Sequence, residues 1–251
     1  MRSRVITRVA ITLFTALTIT AGSRAQGDEP GSRASSTIFK TFFVFETGES
    51  GSTPEAGLVQ GTDGNFYGAT NGGASGDGTV FKITPQGKLT TLHTFNGTDG
   101  NDPMATLVLG TDGNFYGTTF AGGAHADACQ ADACGVVFKI TPAGALTTLY
   151  SFCAQAGCAD GAGPGPLVQG TDGSFYGTTV QDGSSSCACG TVFKITPAGV
   201  LTTLYQFTGP DGFGPGPLAG LIQGSDGNFY GTTVQGGSGN ACLDGCGTSS
   251  R

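Results

Sequence analysis

No tryptophan occurs anywhere in the 251 residues, and histidine occurs only twice, as His93 and His125. The first absence removes the indole platform on which a sugar ring stacks best and leaves Tyr and Phe to serve instead. The second leaves too few imidazoles for a histidine-built metal centre. Glutamate is confined to Glu29, Glu46, Glu49 and Glu55, all ahead of the first full repeat described below, so the paired carboxylates that glycoside cleavage needs have no evident source there. Basic residues are also scarce, 11 against 18 acidic ones. An acidic surface is repelled by phosphate, which makes nucleic acid and anionic lipid poor partners.

Long apolar runs are absent except at the start. The opening "MRSRVITRVAITLFTALTITAGSRAQ" sets Arg2, Arg4 and Arg8 ahead of an apolar stretch from Val9 to about Ala21, then Ser23-Arg24-Ala25. That is the layout of a secretory signal peptide with cleavage after Ala25. The run is short for the ~20 apolar residues of a membrane span, so no span is expected once the leader is removed. Loss of Arg2, Arg4, Arg8 and Arg24 leaves 7 basic against 18 acidic residues, a formal charge of −11. Residues 1–25 are therefore read as leader, 26–37 as linker and 38–251 as one repeat domain.

Eight cysteines fall in close pairs: Cys129 and Cys134, Cys153 and Cys158, Cys187 and Cys189, Cys242 and Cys246. In an exported chain they are disulfide candidates, with connectivity left open. The rival reading is structural zinc, which wants short-spaced ligand pairs completed by a second pair or by histidines. With only His93 and His125 available, disulfides are preferred and no metal is assigned. Glycine, at 46 residues without a Gly-X-Y period, signals turns rather than collagen.

The dominant feature is repetition. "GTDGNFYGAT" at Gly61 returns as "GTDGNFYGTT" at Gly110, "GTDGSFYGTT" at Gly170 and "GSDGNFYGTT" at Gly224. Its Asp residues, Asp63, Asp112, Asp172 and Asp226, stand 49, 60 and 54 apart. "VFKITP" recurs at Val80, Val137 and Val192, and "LTTL" at Leu89, Leu146 and Leu201. Each unit parses into four strands. Strand A is the apolar run before Asp-Gly, which is expected to supply the φ > 0 residues of a tight hairpin. Strand B is "NFYGTT", strand C is "TVFKIT", ended by a Pro that cannot donate to a ladder, and strand D is "LTTLYxF". Apolar residues lie on both faces of C and D, as in sheets covered on both sides. Four-stranded sheets of this unit length, stacked face to face, make a β-propeller, and a β-solenoid is the alternative. Gly68, Gly117, Gly177 and Gly231 are expected where neighbouring backbones approach closely.

Taken together, "LVQGTDGNFYGTT", "GTVFKITPAG" and "LTTLYxF" from about Ile38 to Thr248 resemble the tandem GloVer repeats of exported choice-of-anchor bacterial proteins. The resemblance implies a secreted or surface protein, propeller-like in fold and without an established activity. The chain departs from that pattern in having no C-terminal sorting segment. "TIFKTFFVF" sits where a strand D belongs, with no A, B or C before it, since Phe45 precedes Asp63 by 18 as Phe95 precedes Asp112 by 17. The fourth unit supplies A and B and reaches "GCGT" where strand C is due, so three complete blades and an incomplete fourth are expected, in a chain truncated at its C-terminus.

Loop lengths distinguish the two ends of such a disk. The A–B and C–D turns never vary, whereas the path from the strand B Gly to the strand C Phe runs 13, 21 and 16 residues. Every cysteine falls in a B–C loop or a D–A link, and variable loops on a rigid scaffold are where binding arises. The expectation is a non-catalytic secreted or surface scaffold that binds carbohydrate or protein through this face. The alternatives are a purely structural surface protein and, more distantly, a propeller hydrolase or lyase. No catalytic residue or cofactor is assigned. A small site of His125, Asp127 and Asp132 lacks a matched nucleophile. The stretches "GGASGD", "TDGND" and "GGSGN" are read as turns rather than calcium loops, which need tandem nonapeptides. The leader reading has a direct check: intact mass of the exported protein should place its first residue at Gln26.

Overall fold

The structure is a computed structural model that describes residues 9–13, 40–45, 51–73, 75–129, 134–181, 190–207, 220–233 and 249–250. Two strands precede the first full unit, β1 (Val9–Leu13) and β2 (Lys40–Phe45), paired antiparallel. The first unit is β3 (Val59–Gln60), β4 (Phe66–Thr70), β5 (Thr79–Ile83) and β6 (Leu89–Thr94). The second is β7 (Val108–Leu109), β8 (Phe115–Thr119), β9 (Val136–Ile140) and β10 (Leu146–Ser151). The third begins with a short extra strand, β11 (Ala162–Pro164), and continues as β12 (Val168–Gln169), β13 (Phe175–Gln181), β14 (Thr191–Ile195) and β15 (Leu201–Gln206). The fourth holds β16 (Ile222–Gln223), β17 (Phe229–Thr232) and β18 (Ser249–Ser250).

Within each unit the A, B, C and D strands present pair antiparallel in chain order, and the extra strand β11 adds to β13. This excludes a parallel β-solenoid, whose coils pair with the next coil. The units are propeller blades, three complete and one partial, and the described sheets do not close into a ring.

The repeated phrase builds the blade's constant end. Gly64 N–H donates to the Gly61 carbonyl at 3.0 Å and Gly61 N–H to the Asn65 carbonyl at 2.9 Å. Only Gly64 has positive φ, 78°, while Asp63 is absent from the left-handed set. The expected pair of φ > 0 residues is thus reduced to one, because the Asp side chain has another task. Asp63 Oδ1 accepts the Asn65 N–H at 3.1 Å, and Oδ2 accepts the Asn65 amide at 2.6 Å and the Tyr67 hydroxyl at 2.8 Å. The same clasp recurs at Asp112, Asp172 and Asp226, each accepting its strand B tyrosine hydroxyl at 2.7–2.9 Å.

That tyrosine is fixed for packing against the next blade. Tyr67 stacks on Phe115, Tyr116 on Phe175 and Tyr176 on Phe229, with ring centroids 3.9–4.0 Å apart. A second row crosses the same interfaces edge to face, Phe95 on Phe138 and Phe152 on Phe193, at 5.3 and 5.2 Å. Aromatic pairs of this kind add about 0.5–1.5 kcal/mol each beyond the area they bury. Phe45 of β2 meets Phe81 in the same edge-to-face manner at 5.1 Å, so the N-terminal segment does take the strand D position.

Two details differ from expectation. Gly68 pairs with Phe81 across the sheet, and an added Cβ would lie 2.7 Å from the Phe81 ring and 2.8 Å from Leu58. Gly117 and Gly177 meet Phe138 and Phe193 in the same way. These glycines make room for a ring of their own blade, not for a neighbouring backbone. Second, the strand C seat beside β2 is filled by β1, with a register shift between Ile11 and Thr12 like that between Val80 and Phe81 in the first blade. The apolar, partly β-branched run read as leader therefore pairs as a strand in this structure. In the fourth blade β18 occupies the start of strand C: Ser249 opposes Thr232 and Ser250 opposes Gly231, as Val80 and Phe81 oppose Ala69 and Gly68.

The clasps make stability depend on acid pH. Burial resists ionisation of Asp63 and Asp112, but hydrogen bonds from Asn65 and Tyr67, and from Asn114 and Tyr116, outweigh it and leave both carboxyls below the usual range. At Asp172 the Lys194 ammonium, 2.8 Å away, leads and brings the value to about 2. Carboxyls depressed in the folded state stabilise it above the unfolded value near 4 and lose that contribution as pH falls through the folded value. Urea midpoints should therefore fall steadily between about pH 4 and pH 2, and Asp112→Asn should flatten that decline. An unchanged pH slope in the variant would remove the clasp from the account.

Candidate functional site: the cysteine-bearing loop face

At the opposite end of the blades the D–A links and the B–C loops share one surface. Each D–A link first pairs with the chain leaving strand B of the following blade. Ser52 and Gly72 exchange backbone hydrogen bonds at 2.8 and 3.0 Å, and Asn101 and Ala121 do so at 2.8 and 2.9 Å. Ala162 of β11 opposes Gln181 in the third unit. The links then pass through a residue ahead of Pro that is left-handed: Thr53 (φ 57°), Asp102 (φ 57°) and Gly163 (φ 63°). Only the third uses the residue type that adopts this conformation without strain.

An aspartate ties the second and third links to strand D. Asp160, fully buried, accepts the Tyr150 hydroxyl at 2.8 Å and the Ala154 and Gln155 N–H groups at 3.0 and 3.2 Å. One blade earlier Asp99 meets His93 Nε2 at 2.8 Å and accepts the Asn96 N–H at 3.0 Å. His93 is thus the first blade's version of Tyr150, a strand position with a structural partner. Burial first, then the Asp160 carboxylate, pushes the Tyr150 hydroxyl well above its ordinary value, so this group stays a neutral donor.

The second blade's long loops carry the cysteines. A single 3-10 turn, Ala126–Ala128, follows His125, and Cys129 is bonded to Cys134. In the adjoining link Cys153 is bonded to Cys158. The connectivity left open by the sequence is between sequence neighbours in this blade, and the two bridges touch, with Cys129 Sγ 2.8 Å from Cys153 Sγ. Cys134, Cys153 and Ala162 form a small buried cluster flanked by Cys129 and Cys158. Gly163 N–H donates to the Cys134 carbonyl at 3.0 Å, joining link to loop. Cys187, Cys189, Cys242 and Cys246 lie outside the described residues, as do Asp132 and the "GGSGN" stretch.

His125 precedes that turn and Asp127 lies within it, and the His125 carbonyl oxygen lies 2.9 Å from the disulfide sulfur of Cys134. "GGASGD" and "TDGND", taken as turns, do meet: Asp102 N–H donates to the Asp77 carbonyl at 3.2 Å. Burial, then Asp77 and Glu55, raises the Asp102 carboxyl above its usual range. Among the described residues the only set of three or more metal-ligating side chains gathered within 4.8 Å is Cys129, Cys134 and Cys153. No helix among them is long and apolar enough to cross a membrane.

Because Asp160 is buried and satisfies three donors, Asp160→Ala should leave two backbone N–H groups and a phenol unpaired. A loss of about 2–3 kcal/mol in urea unfolding is expected, while Asp160→Asn should recover part of it. A loss below about 0.5 kcal/mol would show that water replaces the clasp at no cost.

The fold is similar to several solved structures. The extracellular domain of a hybrid two-component system from B. thetaiotaomicron superposes at a TM-score of 0.51 with 10% identity, over 80% of this chain and 23% of that one. An inactive virginiamycin B lyase from Staphylococcus aureus, solved with quinupristin, gives 0.49 and 17% over 80% of this chain and 61% of the lyase. A gluconolactonase from Xanthomonas campestris gives 0.47 and 18% over 72% and 56%. The chain spans about half the length of such enzymes. No curated protein matches it. Residues 27–243 match the Gloeobacter/Verrucomicrobia repeat. With that match covering most of the sequence and the repeated clasp and stack explaining its fixed words, the chain belongs to the Gloeobacter/Verrucomicrobia repeat family.

Proposed function

We propose that this protein is an exported, non-catalytic propeller scaffold that binds carbohydrate or protein through its cysteine-bearing loop face. The observation that carries this reading is the contrast between the two ends of the blades. At one end every turn is held by the same Asp–Tyr clasp. At the other the loops differ in length from blade to blade and the second blade's are stapled. A surface that varies while its support is constant is free to take up recognition.

The turn aspartates are engaged as clasps and Asp160 as a loop tie, so these carboxylates serve the scaffold. Export follows from the leader-like opening and fits the two disulfides, which persist in oxidising compartments.

The test is a glycan array probed with the exported chain and with a version whose three long B–C loops are replaced by the first blade's short one. Binding by the native chain and loss in the replaced one is the expected result. Binding that survives the replacement overturns the assignment to this face, and a silent array together with no protein capture at the cell surface favours a purely structural role.

A further inference from the structure

The two disulfides of the second blade are in contact with one another, and this invites a reading of all four sulfurs as one centre. Cys129 Sγ lies 2.8 Å from Cys153 Sγ, and the sulfurs of Cys129, Cys134 and Cys153 all fall within 4.8 Å of one another. Cys158 is joined to Cys153 directly. The sequence spacing is Cys-x4-Cys, eighteen residues, Cys-x4-Cys, which falls within the range used by paired zinc ligands. Cys134 is fully buried and Cys153 nearly so. Cys153 and Cys158 both hold left-handed backbone, at φ 62° and 53°, a conformation that L side chains adopt only when their surroundings dictate it. The loop is shaped around its sulfurs.

A tetrahedral zinc with Zn–S bonds of about 2.3 Å sets its four sulfurs about 3.8 Å apart. Three of the four sulfurs already lie within 4.8 Å of one another, and the fourth, Cys158, is held next to them by its bond to Cys153. We propose that Cys129, Cys134, Cys153 and Cys158, when reduced, form a tetrathiolate site for a thiophilic divalent cation of the zinc class. The oxidised form staples each of the two loops on itself, whereas the metal would tie the two loops to one another. A small-molecule or protein dithiol supplies the electrons. Each disulfide takes up two electrons and two protons and becomes two thiols, while the dithiol is oxidised to its own disulfide. Binding of the divalent cation then releases the four thiol protons and leaves four thiolates on the metal, so that affinity rises with pH.

The experiment uses the full chain reduced with a phosphine, freed of metal, and titrated with zinc alone and with cobalt(II) alone. One zinc per chain is expected, with cobalt giving the thiolate charge-transfer and intense d–d bands of a tetrahedral four-sulfur site. A chain with Cys187, Cys189, Cys242 and Cys246 all changed to Ser should bind equally well. Zinc should slow alkylation of the four proposed ligands, read by peptide mass spectrometry, by at least roughly tenfold. That readout uses the native sequence, so the proposal does not hang on whether a variant lacking the four ligands folds. No zinc uptake, protection that falls on the other four cysteines, or a cobalt spectrum with fewer than four sulfurs would each overturn it.

Discussion

The structure depends on one packing contact, the stack of each strand B tyrosine on the phenylalanine of the following blade. Among the described residues adjacent blades have no covalent tie except the chain itself, and the buried rings join them across each interface. The stack works because the tyrosine is held at both ends, its ring by the neighbour and its hydroxyl by the turn aspartate. A polar group at the mouth of an apolar interface would ordinarily oppose burial, and here a carboxylate on the same hairpin satisfies it. Burial of the phenol and its hydrogen bond to the Asp112 carboxylate raise the Tyr116 hydroxyl, which favours the neutral, donating form.

Side-chain hydrogen bonds between blades refine the same contact. Thr111 N–H donates to Gln169 Oε1 at 3.1 Å and Thr171 N–H to Gln223 Oε1 at 3.0 Å, while each glutamine amide also caps its own Asp-Gly turn. The first interface has Leu109 where the later ones have Gln169 and Gln223, and it relies on the ring stack there. At the loop end, buried threonines take over. Thr70 and Thr79 share a 2.7 Å hydrogen bond and Thr179 and Thr191 one of 3.0 Å, so strands B and C remain joined where the ladder gives way to irregular chain.

Much of this was legible in the sequence, because a tandem repeat repeats its physics. Strand order, the place of "TFFVF" and the division into constant and variable ends follow from spacing alone, and the edge-to-face contact of Phe45 with Phe81 bears out the second of these. The purpose of Asp63 was half legible. Asp-Gly announces a turn, but the link to Tyr67 four residues on depends on the hairpin closed between Gly61 and Asn65, which brings hydroxyl and carboxylate together. The occupant of the space above Gly68 was hidden for a similar reason, since only the cross-strand register shows that Phe81 lies opposite. The loop aspartates Asp99 and Asp160 went unread because their partner is histidine in one blade and tyrosine in the next, which conceals a shared position behind different chemistry. The cysteine pairing was not decidable from spacing, and the reason is now physical: the two bridges of the second blade lie against one another, with Cys129, Cys134 and Cys153 sulfurs gathered together.

Strand B carries Phe and Tyr side by side, and in a strand adjacent residues point to opposite faces. One residue therefore receives the blade before and the other engages the blade after, within a single dipeptide. Every unit brings a complete plug and a complete socket of its own. Repeat number is thereby decoupled from interface design: duplication or loss of a unit by recombination leaves each surviving junction chemically unchanged, and selection can alter the size of the disk without first inventing a new contact.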